Sequence, residues 1–286
     1  MSHLMHKTAV VTDSVANLPP DLIERYNIGV VPLLVTFGLE TFRDGVDIST
    51  AEFYRRLARD KVVPKTSTPA LSDFVSVYSQ AARRAEAVVA IHLAGALSGT
   101  AHTARQAAAL VEAPVYVLDS NTAAAAQGLV VLAAARAAQR GAGPEEVLAA
   151  ARRVMARVRL LVMLDTLEYL ARGGRIGAVQ AWLGMMLRFK PIVSLVNGSV
   201  QPVERPRTRQ RALERLVELM ADEVQDRPVH VAVTQATARA EAEALRDRIA
   251  ARFDCRELFI TEFTPVMGAH AGPGVVGIAF WAEDWK

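Results

Sequence analysis

At 286 residues, with 51% hydrophobic and 22% charged residues, the chain has enough material for two packed domains and is not a disordered polymer. The net charge is only +3, and the basic stretches at residues 152–159 and 205–215 carry no interleaved aromatic residues and no helix-turn-helix or RNA-binding signature. They read as solvated helix faces, and nucleic-acid binding is not expected.

Cys255 is the only cysteine, so neither an internal disulfide nor a cysteine-based zinc site can form, which fits a reducing cytoplasm. The mean hydropathy of +0.19 owes much to alanine. The most apolar stretch, residues 122–135, is interrupted by Gln127 and closed by Arg136. That falls short of the ~18 continuous apolar residues of a membrane span. Residues 1–7 lead directly into a strand-like run, so no signal peptide is expected.

In chain order, residues 8–12 read as a strand, 20–26 as a short helix, and 29–37 as a second strand that Pro32 marks as an edge or a bulge. Helices follow at 50–59, behind a Ser49 cap, and at 71–84, opened by Thr68-Pro69 as hydroxyl cap and first-turn proline. Residues 87–93 form a buried-type strand, 101–111 a helix, 115–118 a strand and 122–140 a long Ala-rich helix. Alternating strands and helices predict a parallel sheet covered on both faces. Gly141-Ala142-Gly143-Pro144 punctuates the chain, a helix reads from Glu145 to about Arg157, and a domain boundary is placed near residue 160.

Beyond it come a strand at 160–164, a helix start at 167–170 broken by Gly173-Gly174, and an apolar helix at 179–189. Two strands, 191–196 and 199–204, flank Asn197-Gly198 as a hairpin. A helix at 208–224, a strand at 229–234, a helix at 239–253 and strands at 257–263 and 275–281 complete an α+β second domain. The fold class is thus α/β: an N-terminal parallel-sheet domain, 1–160, and a C-terminal α+β domain, 161–286.

Ligands of open parallel sheets bind beyond the carboxyl ends of the strands. The turns there hold Thr12-Asp13-Ser14, Leu97-Ser98-Gly99-Thr100 and Asp119-Ser120-Asn121-Thr122, and Lys65-Thr66-Ser67-Thr68-Pro69 precedes a helix. Their hydroxyls and free helix N–H groups suit a small anion such as a carboxylate. One such turn alone reads as a helix cap; several at one sheet edge read equally as a binding site.

His270 stands in the Gly-rich run 268–274, where backbone can approach a ligand closely or the imidazole can be merely structural. Residues 272–277 match G-x-G-x-x-G in letters only, because a strand follows them instead of a helix. Arg172-Gly173-Gly174-Arg175 puts two guanidinium groups beside a helix break, where Arg172 fits a C-terminal cap and Arg175 an anion contact. The run Trp182-Leu183-Gly184-Met185-Met186-Leu187 reads as a core helix or as the lining of an acyl cavity.

Taken in order, Thr12-Asp13-Ser14, Thr66-Ser67-Thr68-Pro69, Leu97-Ser98-Gly99-Thr100, Asp119-Ser120, residues 167–176 (LEYLARGGRI), Lys190-Pro191-Ile192 and His270-Ala271-Gly272-Pro273-Gly274 resemble the motifs of the DegV family over nearly the whole chain. The resemblance implies a two-domain fold that holds one fatty acid between the domains, its chain in an apolar tunnel. It implies that Thr66, Ser98 and His270 meet the carboxylate; Ser67, Gly99, Thr100, Asp13 and Ser14, from the same hydroxyl-rich turns, complete the candidate ligand-binding set. Palmitate, stearate or oleate is the expected ligand, with no cofactor, no metal, no catalytic residue and only transient membrane contact. Family members of one type present the carboxylate to a separate fatty-acid kinase, which makes acyl-phosphate for phospholipid synthesis; Arg175 matches the arginine associated with that exchange. Thr68-Pro69-Ala70 departs from the Gln-Pro-Ser of many members.

Two rival readings remain at this level. Ser98, His270 and Asp13 supply the residue types of a serine hydrolase, although residues 95–99 are not G-x-S-x-G. A lipid-free, anion-binding regulatory module would use the same hydroxyl-rich turns. Metal catalysis has no support, since no His/Cys/carboxylate cluster has ligand spacing.

Overall fold

The computed structural model describes residues 6–60 and 62–284, without the side chains of residues 185–188. Its strands are β1 (His6–Asp13), β2 (Gly29–Val31), β3 (Leu34–Phe37), β4 (Glu40–Arg43), β5 (Lys65–Ser67), β6 (Ala85–His92), β7 (Val115–Asp119), β8 (Arg159–Met163), β9 (Ile192–Val196), β10 (Ser199–Glu204), β11 (Val229–Gln235), β12 (Cys255–Glu262) and β13 (Val276–Ala282). The helices are α1 (Pro20–Arg25), α2 (Thr50–Arg59), α3 (Leu71–Ala82), α4 (Thr100–Ala108), α5 (Ala124–Gln139), α6 (Pro144–Met155), α7 (Glu168–Arg172), α8 (Arg209–Val224), α9 (Arg239–Arg252) and α10 (Pro265–Ala271). Short 3-10 segments cover Ser14–Ala16 and Gly177–Arg188.

The first sheet has the order β2-β1-β6-β7 and is wholly parallel. Its central strands are buried on both faces, as a covered parallel sheet demands. Ala9, Val11, Val88 and Ala90 pack on α3 and α4, while the alternate residues Val10, Val89 and Ile91 join the core shared with α5 and α6. The second sheet, β10-β9-β8-β13-β11-β12, is mixed, with only β11 and β12 parallel. One face packs on α8 and α9 through Leu161, Met163, Val231 and Ile278. The opposite face turns Leu160, Val162, Val193 and Ala279 into the core shared with the first sheet.

Helix α5 lies between the sheets and is buried almost all round, from Ala124 to Ala138. This accounts for the apolar stretch in the sequence: a helix hydrophobic on every face belongs inside, and alanine lets both sheets approach it. Among the described residues no helix is long and apolar enough to cross a membrane.

The strand expected over residues 29–37 is two strands in two sheets. Proline has no N–H to continue the ladder at Pro32, and the next N–H, of Leu33, turns aside to the Ser14 hydroxyl at 3.1 Å. The chain then enters a small antiparallel sheet, β4-β3-β5, whose outer strands sequence periodicity missed because each is so short. Helix α3 begins at Leu71 rather than at a Thr68 cap; the Asp73 carboxylate accepts from Ala70 N–H at 3.0 Å and does the capping. Residues 177–188 form a 3-10 run where an α-helix was expected. The Asn197-Gly198 turn forms as predicted, both residues at positive φ (50° and 72°) between β9 and β10.

Candidate functional site

A cavity of about 350 Å³ opens between the two sheets. Its apolar wall follows from strand alternation. Leu160, Val162 and Leu164 line it from β8 and its end, while the intervening Leu161 and Met163 face α8 and α9. Val193 and Leu195 of β9, Val200 of β10, Leu33, Leu93, Phe263 and Val266 complete that wall. Trp182 packs against the core, but the lining role considered for Met185, Met186 and Leu187 lies outside the described side chains.

The polar end brings together Thr66 and Ser67 from β5, Thr68, Ser98 and Gly99 ahead of α4, Arg175, and His270 from α10. These residues are far apart in sequence. β5 is held by its antiparallel pairing with β3, which sets Thr66 opposite Val35. Ser98 sits in the loop between β6 and α4, and its Oγ accepts from Thr100 N–H, the first of α4, at 3.3 Å. The same oxygen is 2.8 Å from Thr100 Oγ1 and 3.5 Å from Thr68 Oγ1. His270 lies in the last turn of a short helix, not in the open glycine loop the sequence suggested. Pro265 starts that helix and Gly272 stops it.

His270 Nε2 is 2.8 Å from Thr66 Oγ1, and its Nδ1 is buried without a partner among the described residues. Burial, and secondarily the nearby Arg175 charge, push the His270 pKa down to about 4. The imidazole is therefore neutral near pH 7. Among the described residues no Asp or Glu lines the cavity, and Arg175 is the only Lys or Arg that does. Arg175 is exposed, donating from Nε to Leu97 O at 3.1 Å and from Nη1 to Gly173 O at 2.6 Å. It thus ties the turn after α7 to the loop before α4. Arg172 instead pairs with Glu168 at 3.4 Å on the exposed end of α7.

Asp13, Ser14 and Thr100 do not reach the cavity wall. Asp13 is fully enclosed: its carboxylate accepts from Val15 N–H and Leu93 N–H and meets His92 Nδ1 at 2.9 Å, and Gln127 donates to it at 3.2 Å. His92 in turn meets the Tyr78 hydroxyl at 2.8 Å. Asp13 thereby braces Val15 and Leu93, two wall residues, from behind. Ser14 accepts from Leu33 N–H, and Thr100 is wholly buried under Ser98. Asp119 and Ser120 brace their own turn through Gly95, Asn121 and Thr122.

Sequence reading missed His92, whose position at the end of β6 was the only signal, and missed the alternate residues of β8 as a wall. The hydrolase arrangement is not assembled: His270 bonds Thr66 rather than Ser98, and Asp13 bonds His92 rather than His270. The arginines of α8 are engaged in ion pairs, Arg209 with Glu241, Arg211 with Glu218 and Arg215 with Glu204. Among the described residues there is no cluster of three His, Cys, Asp or Glu side chains suited to a metal.

A family model described as "Uncharacterised protein, DegV family" matches residues 7–283. A DegV domain-containing protein of Streptomyces coelicolor is 39% identical over 272 residues, covering 94% of this chain and 96% of that protein. The solved structure of a fatty-acid-binding DegV family protein from Thermus thermophilus superposes with a TM-score of 0.91 at 32% identity, covering 97% of this chain and 100% of that one. A stearic acid-binding protein of Eubacterium ventriosum superposes with a TM-score of 0.87 at 27% identity, covering 96% of this chain and 98% of that one.

Proposed function

The chain belongs to the DegV family, and from that premise we propose that it holds one long-chain fatty acid, such as palmitate, stearate or oleate, between two domains that meet near residue 160. The acyl chain lies along the wall formed by Leu160, Val162, Leu164, Val193 and Phe263, and the carboxylate lies at Thr66, Ser98 and His270, beside Ser67 and Gly99. The observation that carries this reading is the cavity's polarity: apolar along its length, with hydroxyls, a neutral imidazole and no carboxylate gathered at one end.

The physics follows from that arrangement. Burying an acyl chain contributes roughly 0.8 kcal/mol per methylene, so tight binding needs no covalent bond. The carboxylate must be met by donors once it leaves water. Thr66, Ser98 and the backbone near Gly99 supply them, and His270 Nε2–H can donate to Thr66 Oγ1, freeing the threonine hydroxyl for the ligand. Asp13, Ser14 and Thr100 act from behind, holding the loops that carry the wall and Ser98. In this reading the protein binds and presents a substrate and performs no chemistry itself.

Native mass spectrometry of the purified protein, followed by denaturing extraction, is expected to find one fatty acid per chain. Protein that is empty and takes up no added palmitate, stearate or oleate overturns the reading. We further propose that a cytoplasmic fatty-acid kinase receives the ligand at its carboxylate end, with the exposed Arg175 at the contact. Arg175→Ala is then expected to leave fatty-acid affinity within about twofold and to slow acyl-phosphate formation by about tenfold or more, the effect of losing a charged hydrogen bond. Unchanged acyl-phosphate formation removes Arg175 from that role.

A further inference from the structure

Asp44 is a buried carboxylate, 2% exposed, that does not line the cavity. It follows β4, and its N–H donates to Leu33 O at 2.8 Å. Its Oδ2 accepts from Thr264 Oγ1 at 2.9 Å and its Oδ1 from Val266 N–H at 3.3 Å, with the Ser14 hydroxyl alongside. Thr264 and Val266 begin α10, and α10 carries Val266, Met267, His270 and Ala271 into the cavity wall. One carboxylate therefore joins the small sheet to the first turn of the helix that sets His270.

Among the described residues, no cation is among the groups acting on Asp44. Asp13 on β1 lies close enough to disfavour its charge. Tyr54 on α2 is the neighbouring phenol, itself beside Glu262 of β12 and Tyr169 of α7. Arg43, one residue earlier, is engaged with Asp47 at 2.8 Å.

We propose that Asp44 is a positioning residue for the ligand site: its ionised carboxylate fixes the first turn of α10 and with it His270, and its protonation loosens both. The inference rests on the fatty-acid reading of the cavity. Ionised, the carboxylate accepts from both Thr264 Oγ1 and Val266 N–H; protonated, it turns one acceptor oxygen into a donor.

Burial is the main cause that raises the Asp44 pKa from the ordinary carboxylate range to about 6. A carboxyl raised on folding adds stability below its unfolded value near 3.8 and loses that contribution as pH rises through about 6. At pH 7 the ionised form is therefore a cost to the fold, while it serves the site. The two effects have opposite signs, which a purely structural role does not predict.

The test compares the full-length wild type with Asp44→Asn. Oleate affinity is measured between about pH 5 and pH 8, thermal stability at pH 7, and hydrogen exchange of the α10 amides without ligand. Asp44→Asn is expected to bind oleate about tenfold more weakly at pH 7, as for one lost charge-assisted hydrogen bond, with an equal or higher Tm. It is also expected to lose the step near pH 6 in the affinity profile and to exchange faster in α10.

Unchanged exchange in α10 overturns the proposal whatever the affinity. So does faster exchange with unaltered oleate binding, because His270 would then not depend on the helix start. Should the wild type bind no oleate at any pH, the fatty-acid reading fails, and faster exchange in Asp44→Asn still upholds the positioning of α10.

Discussion

Ser98→Ala and His270→Ala are each expected to weaken fatty-acid binding by about ten- to a hundredfold while leaving the fold in place. A hydrogen bond to a charged group contributes about 1.5–3 kcal/mol, and each 1.4 kcal/mol is tenfold in affinity. The loss falls on a carboxylate that has left water, where an unmet acceptor is most costly. The fold is expected to tolerate both changes. Among the described residues the Ser98 hydroxyl engages the hydroxyls of Thr68 and Thr100 and the Thr100 N–H, and the His270 ring engages Thr66. The double variant should lose less than the product of the two effects, because both residues serve one ligand. Titration with oleate alongside thermal melts separates the outcomes. If both single variants bind as tightly as the parent, the carboxylate does not lie at this end of the cavity.

Gly272→Ala is expected to destabilise the protein by roughly 3–5 kcal/mol, from a conformation that L-residues avoid and from overpacking. Gly272 has φ 75° and ψ −179°, which is essentially glycine territory. A Cβ there would stand 2.2 Å from Tyr169 Cδ2, so relief requires moving either α7 or the end of α10. At this chain length the drop in Tm is on the order of 10 °C. Gly143→Ala serves as the control: Gly143 has φ −71°, and no atom lies within 4 Å of its would-be Cβ. A melt of Gly272→Ala within about 2 °C of the parent would show that the α10 stop is not under this constraint. Because His270 is two residues upstream, any variant that folds should also bind fatty acid poorly.

Several elements were legible in the chain because local chemistry decides them. β1 and β6 announce themselves as short apolar runs, and Ser49 as a cap whose hydroxyl does accept from Glu52 N–H. Asn197-Gly198 specifies its hairpin because both residues tolerate positive φ. The motif residues Thr66, Ser67, Ser98, Gly99, Arg175 and His270 lie around one cavity. Their order along the chain marked them as a set, but not their distances.

Other features were not legible, for reasons of range. Pro32 signalled an interruption, but which sheet accepts residues 34–37 depends on β4 and β5, strands too short to show a period. Asp13 read as a ligand contact because it ends a strand at the binding edge. Its place was decided by His92, Gln127 and Leu93, which approach from distant parts of the chain.

What the sequence determined by itself was the alternation of strand and helix, the turns and caps, and the inventory of hydroxyls that can meet an anion, since these depend on a few adjacent residues. The tertiary structure alone decided which face of β8 became a cavity wall, that α5 lies between two sheets, and that His270 meets Thr66 rather than Ser98. Each of those outcomes is a competition among partners separated by scores of residues, settled by burial and packing that no local pattern encodes.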